Sequence, residues 1–173
     1  PDDGGAGYGS IGYDDTHITV AQLAALERAL DGSAELRPLS GSVEGLRAIK
    51  SAAEVEKIRA AAQLADAAML ELLAGGLIGR TELELALLLE STIRRLGAQE
   101  LSFSPIVAAG AHGALPHAEP RDVKITEGQM VTIDWGARLD GYCSDCTRTY
   151  FTGQVDDAQT RAYDVVLEAQ VAA

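Results

Sequence analysis

The sequence predicts an α+β chain with its helices ahead of its strands, and three observations lead there. Ala and Leu crowd the middle of the chain, whereas β-branched residues, Gly and aromatics gather between Ser102 and Gly153. Several segments open on an N-cap residue followed three positions later by Glu or Gln, the spacing at which cap and side chain satisfy each other's backbone N–H groups. Two strand-like runs flank Asp140-Gly141, a dipeptide suited to the positive φ angles of a tight hairpin turn.

The elements follow in order. Ile11-Gly12-Tyr13-Asp14 reads as a strand or loop, and Thr19 with Gln22 opens a short helix that Asp31-Gly32 closes. Pro38 to Gly45 is rich in Pro, Ser and Gly without apolar periodicity, which predicts a linker and a domain boundary. Residues 1–45 are therefore expected to be one part of the chain and residues 46–173 another. Ser51 with Glu54 opens a long helix whose face is expected to carry Val55, Ile58, Ala62, Ala65, Met69 and Leu72, ending at Gly75-Gly76. Thr81 with Glu84 opens the next, with Leu83, Leu87, Ile93 and Leu96 as its apolar positions and Gly97 as its stop. Ser104 to Ala109 reads as a strand with Pro105 at its start. Gln129 to Leu139 and Tyr142 to Phe151 form the predicted hairpin, and Asp156 with Gln159 caps a last helix carrying Tyr163, Val166, Leu167 and Val171. The predicted order over residues 46–173 is α-α-β-β-β-α.

Composition narrows the function. An apolar fraction of 47% and a charged fraction of 23% are those of a soluble globular domain, and no apolar run approaches the roughly 18 residues of a membrane helix. Pro1 to Gly5 has neither a basic nor an apolar targeting region, so a cytoplasmic home is expected, and the missing initiator Met suggests trimming. The net charge of −12 argues against nucleic acid and anionic membranes as partners, because Lys and Arg must neutralise phosphate in both; small peptides or metal cations fit better. Cys143 and Cys146 are too few for a disulfide framework and read as reduced packing residues.

Two carboxylates and a histidine stand out. Asp134 interrupts an apolar strand, Met130 to Gly136, where an unpaired carboxylate would be costly to desolvate and would want a cation. Reflecting the return strand through Asp140-Gly141 brings Asp145 level with Asp134 or a position or two away, close enough to share a metal. Spacing alone favours a buried pair satisfied by Arg148, Thr147 and Thr149, since buried ion pairs are commoner than metal sites. His117 lies in a loop, where an imidazole could donate a proton or polarise a carbonyl, or be a plain surface histidine. His112 has a weaker case of the same kind, and His17 reads as a solvated loop residue.

The run Gly110-Ala111-His112-Gly113-Ala114-Leu115-Pro116-His117, the strand Gly128 to Gly136 and the stretch Asp140 to Tyr150 together resemble prolidase and aminopeptidase P. In that family a P-H loop, a D-x-G strand and an S-D-x-T-R-T strand occur in this order, and the step from Asp134 to Asp145 matches the spacing of two aspartate ligands. Arg47 to Glu54 is similar to the family's R-x-x-K-x-x-x-E entry to the catalytic domain, and Gly12-Tyr13-Asp14 to the tail of its N-terminal domain. The T-R-T sequence favours these proline enzymes over methionine aminopeptidase, and the two aspartates favour them over creatinase.

The resemblance implies the first half of a pita-bread metallopeptidase domain, preceded by a remnant of an N-terminal α/β domain. It implies hydrolysis of the bond preceding proline, with two divalent ions, Mn²⁺ first and Co²⁺ or Zn²⁺ as alternatives. Asp134 would bind one ion, Asp145 would bridge both, His117 would contact the substrate and stabilise the tetrahedral intermediate, and Thr147 and Arg148 would orient the ligands. It also implies proline-containing peptides as partners and a homodimer for the complete protein. Family members add a His and two Glu ligands and a second catalytic His from a C-terminal half, none of which precedes Ala173. The chain is therefore expected to be a piece of its parent, inactive alone. The competing expectation is a non-catalytic module on the same scaffold that binds peptides or proteins, although such relatives usually lose the aspartates.

Overall fold

The computed structural model of the protein describes residues 9–173. The chain divides into two compact units, one reaching to Ser51 and one spanning Ala52–Ala173. In the first, β1 (Ser10–Tyr13) and β2 (Glu35–Pro38) pair in parallel. Parallel neighbours need a crossover, which α1 (Val20–Leu30) supplies. Thr19 and Gln22 form the expected capping box, and Asp31 ends the helix in the left-handed region at φ 43°. Where composition predicted only a linker, Gly41 turns the chain at φ 69° and α2 (Ser42–Ala48) follows. None of its residues is buried, which is why no apolar period announced it.

The second unit opens with α3 (Ala52–Ala74) and α4 (Glu82–Arg95), the latter held at its head by the predicted Thr81–Glu84 capping box. The strands then build two three-stranded sheets: β3 (Glu100–Leu101), β6 (Ala137–Leu139) and β7 (Tyr142–Cys143) in one, and β4 (Ile106–Ala109), β5 (Met130–Trp135) and β8 (Cys146–Phe151) in the other. The orders are β3-β6-β7 and β4-β5-β8. A short 3₁₀ turn, Gly110–Ala114, follows β4, and α5 (Asp157–Ala172) ends the chain behind an Asp156–Gln159 capping box.

The predicted hairpin is present, but it passes through both sheets. One antiparallel register runs from Met130 opposite Phe151 to Leu139 opposite Tyr142. Asp140 at φ 50° and Gly141 at φ 80° make the two-residue turn, the backbone that matches strand twist. The ribbon changes sheet at Gly136, where a Cβ would run into the Ser144 carbonyl oxygen and the Ser102 side chain. Ser102 seals this crease: its hydroxyl donates to Ser144 O at 2.7 Å and its N–H to Gly136 O at 3.1 Å.

Along β5 the residues alternate, with Val131, Ile133 and Trp135 buried and Met130, Thr132 and Asp134 only partly covered. The buried side packs on Ala61, Ala65, Ala68, Met69 and Leu72 of α3 and on Leu85, Leu89 and Ile93 of α4. Small residues let α3 approach closely: Trp135 Nε1 donates to Ala65 O at 2.9 Å and Ser144 Oγ to Ala61 O at 3.2 Å. Both helical faces match expectation in part, with Ala65, Met69 and Leu72 of α3 and Ile93 of α4 buried as expected. Val55 is exposed at the head of α3, and on α4 the expected Leu83 and Leu87 face outward while Leu85, Ala86 and Leu89 face in. Apolar residues occur all around α4, so periodicity could not select the inner face. On α5 the expected Val166, Leu167 and Val171 are exposed, as is Val165.

Candidate metal centre

The open side of the hairpin carries the predicted carboxylates. Asp134 sits opposite Thr147, and its Oδ1 accepts a hydrogen bond from Thr147 Oγ1 at 2.8 Å. The sequence suggested a carboxylate walled in by apolar neighbours; instead, the two-residue period turns Asp134 away from Ile133 and Trp135 and leaves it half-buried. Counted along the same register, Asp145 falls opposite Gly136, diagonal to Asp134. Its neighbours Ser144, which is buried, and Cys146, which packs against the core, point inward, and Asp145 is exposed. The two carboxylates thus lie on one side of the ribbon, at the crease between its sheets. Diagonal cross-strand neighbours are close enough for two carboxylates to reach a common cation.

The alternative of a self-satisfied pair forms in part: Thr147 meets one oxygen of Asp134. Arg148 donates to the carbonyl of Thr147 rather than to either aspartate, and Thr149 meets Thr132 across the ladder at 3.2 Å. Asp145 makes no hydrogen bond or ion pair among the described residues. An exposed carboxylate without a partner and a second fixed through one oxygen are hard oxygen donors with free lone pairs, and they fit a divalent cation. Beside them is a cleft of about 650 Å³, lined among others by Gly113, Thr132, Thr147, Arg148, Tyr163 and Leu167. Another trio, Asp14, His17 and Glu44, brings possible ligand atoms within 4.8 Å of one another in the first unit. Asp14 there already bonds Thr16 and His17, the contacts with Thr16 above all holding its carboxyl at about 2.

His117 is exposed, beyond the 3₁₀ turn, and its neighbour Ala118 is buried. No hydrogen bond joins His117 to Asp134 or Asp145 among the described residues. His112 has a different part. Its Nδ1 lies 3.1 Å from Glu82 Oε2, so that nitrogen carries the proton and donates to the carboxylate. Glu82 is fully buried and also accepts from the backbone N–H of Ala109 at 2.9 Å and of Arg121 at 3.0 Å. The Arg121 guanidinium adds a two-pronged contact, Nε to Oε2 at 3.0 Å and Nη2 to Oε1 at 2.9 Å. Sequence reasoning missed Glu82, because Glu in the first turn of a helix ordinarily reads as compensation of the helix dipole. A signal was available: Glu84 already completes the capping box, leaving Glu82 without that employment.

The cysteines are both free. Cys146 packs against the core, and burial pushes its thiol up, away from the reactive thiolate. Cys143 is exposed rather than packed.

Sequence comparison assigns this arrangement of helices and folded ribbon to a class of metallopeptidases. Residues 56–173 match the model of metallopeptidase family M24, and the chain belongs to that family. It is 40% identical over 160 residues to the uncharacterized peptidase YqhT of Bacillus subtilis, covering 92% of this chain and 45% of that one. With a Xaa-Pro dipeptidase of Pyrococcus furiosus it shares 36% identity over 136 residues, 79% of this chain and 39% of the relative. Among solved structures, a Xaa-Pro dipeptidase from Bacillus anthracis superposes with a TM-score of 0.87 at 41% identity, over 94% of this chain and 45% of that one. An X-Pro aminopeptidase from Thermotoga maritima gives 0.83 at 33%, over 93% and 46%. The fold is α+β and corresponds to part of the pita-bread architecture of these enzymes. The chain spans less than half the length of the relatives it matches.

Proposed function

We propose that this chain is part of a divalent-metal peptidase that cleaves the bond preceding proline, as a Xaa-Pro dipeptidase or aminopeptidase. The observation that carries this is the pair Asp134 and Asp145, diagonal on the open side of one hairpin, in a chain whose relatives are named for Xaa-Pro cleavage. Asp134 would hold one cation and Asp145 would lie between two. Oxygen donors suit Mn²⁺ best and are compatible with Co²⁺ or Zn²⁺. When bound, such ions acidify water and polarise a carbonyl. Thr147 restrains the Asp134 carboxylate by donating to Oδ1, and Oδ2 would be the oxygen left to a cation. His117 presents a ring N–H to the carbonyl oxygen of the scissile bond as negative charge develops there. Further ligands, as a two-ion site needs, would complete the set.

The test uses the full natural gene product. Asp134→Ala and Asp145→Ala are expected to abolish Mn²⁺-dependent release of the N-terminal residue from Xaa-Pro dipeptides and longer Xaa-Pro peptides and to weaken Mn²⁺ uptake measured by calorimetry. Unchanged turnover in Asp145→Ala would sink the proposal. Failure of the unaltered protein to take up metal would instead favour a non-catalytic peptide-binding module.

A further inference from the structure

The loop that carries His117 leaves the sheet at Ala109 and returns to the head of α4 at Arg121, and one carboxylate grips both ends. At the departing end Glu82 accepts from the Ala109 N–H and from His112, within the 3₁₀ turn. At the returning end it accepts from the Arg121 N–H and from both prongs of its guanidinium. Beyond Arg121 the chain lies against the start of α4, with Glu82 N–H donating to Val123 O at 3.2 Å and Leu83 N–H to Arg121 O at 3.0 Å. Gly113 presses the turn onto the sheet, where a Cβ would come within 3.2 Å of Ala108 O and 3.3 Å of Thr132 Oγ1.

We propose that Glu82 is the positioning residue for His117, a buried ionic staple that fixes the loop against the metal face. The proposal rests on the reading of His117 as the substrate-facing group. Only Glu82 is enclosed, the Arg121 side chain being about half exposed, and enclosing a carboxylate is a poor device for stability alone, since an apolar residue of similar volume often serves at least as well. What it does supply is direction. The two carboxylate oxygens meet donors from the sheet strand, the turn and the returning loop together, so none of the three can shift without leaving a buried charge unpaired. Glutamine has the same shape but cannot replace this arrangement. Whichever way its amide is turned, an NH₂ group faces donors from Arg121, Ala109 or His112.

The experiment compares Glu82→Gln, His117→Ala and the double variant in the full gene product with Mn²⁺, and follows backbone hydrogen exchange in Glu82→Gln. The expected result is faster exchange over residues 110–121 with protection of β5 and β8 retained. Turnover kcat should fall about tenfold or more with KM changed by less than about threefold, and the double variant should be no slower than His117→Ala. Unchanged exchange in the loop overturns the proposal, and so do additive losses in the double variant, which would mean that Glu82 does not act through His117. If Glu82→Gln fails to fold, Arg121→Met removes the guanidinium contacts and takes its place with the same criteria. Full activity of His117→Ala with a loosened loop in Glu82→Gln would remove His117 from catalysis, and with it the positioning role, while leaving the metal reading intact.

Discussion

Burial would by itself raise the pKa of Glu82, because a carboxylate loses hydration when it is enclosed. The Arg121 guanidinium, the N–H groups of Ala109 and Arg121 and the His112 ring together outweigh that effect and hold it at about 2 instead of 4.5. The sign of the linkage follows: a folded-state value below the unfolded one contributes stability above about pH 4.5, and the contribution is lost as pH falls through about 2. Its full size is on the order of 3 kcal/mol. Denaturant unfolding followed from pH 7 to 2.5 should therefore show the protein and Glu82→Gln converging as pH falls. A gap of constant size would mean that charge is not what the site uses. At this scale the sequence was partly legible. Asp134, Asp145 and His117 were visible as chemistry out of place, but a satisfied buried charge looks no different in sequence from a solvated one.

The elements were more legible, and their packing less so. Three capping boxes form where the residues predicted them, because a cap is a local contract among four consecutive positions. The turn at Asp140-Gly141 is equally local. Inner faces depend on partners distant in sequence: Leu83 and Leu87 yielded to Leu85 and Leu89 on α4, and the seam of α3 runs through Ala61, Ala65 and Ala68. That seam gives a prediction. Ala65 contacts the core under Trp135, so Ala65→Leu should lower stability by about 1–3 kcal/mol through overpacking, whereas Ala67→Leu on the exposed side should change it by less than about 0.5 kcal/mol. Urea unfolding of the two variants decides, and equal effects would contradict the close approach of helix and ribbon.

For the whole molecule, apolar surface is the dominant open account. Val165, Val166, Leu167 and Val171 of α5 are exposed, as are Leu70, Leu83 and Leu87 of α3 and α4 and Ile78 between them. Among the described residues no helix is long and apolar enough to cross a membrane. Exposed patches of this kind favour association. The isolated 173-residue polypeptide should sediment as concentration-dependent oligomers, and replacing Val166 and Val171 with Gln should shift it toward monomer. A monomer at all concentrations would contradict the expectation. Fold class and the order of helices before strands in the second unit were readable at this scale because composition itself changes along the chain, from Ala and Leu to β-branched residues and Gly, whereas β2, α2 and β3 were not.

The hairpin's single register makes the carboxylate pair a matter of parity. Asp134 and Asp145 face the same way because each lies an odd or even step from a shared turn, much as a codon keeps its meaning only in frame. One residue inserted between Gly136 and Leu139 would rotate Asp134 into the core and bring Ile133 out, relative to an unchanged Asp145. Two inserted residues, or a longer loop in place of Asp140-Gly141, would leave both carboxylates on the open side. Length variation in this ribbon is thus tolerable at its tip and quantised along its arms.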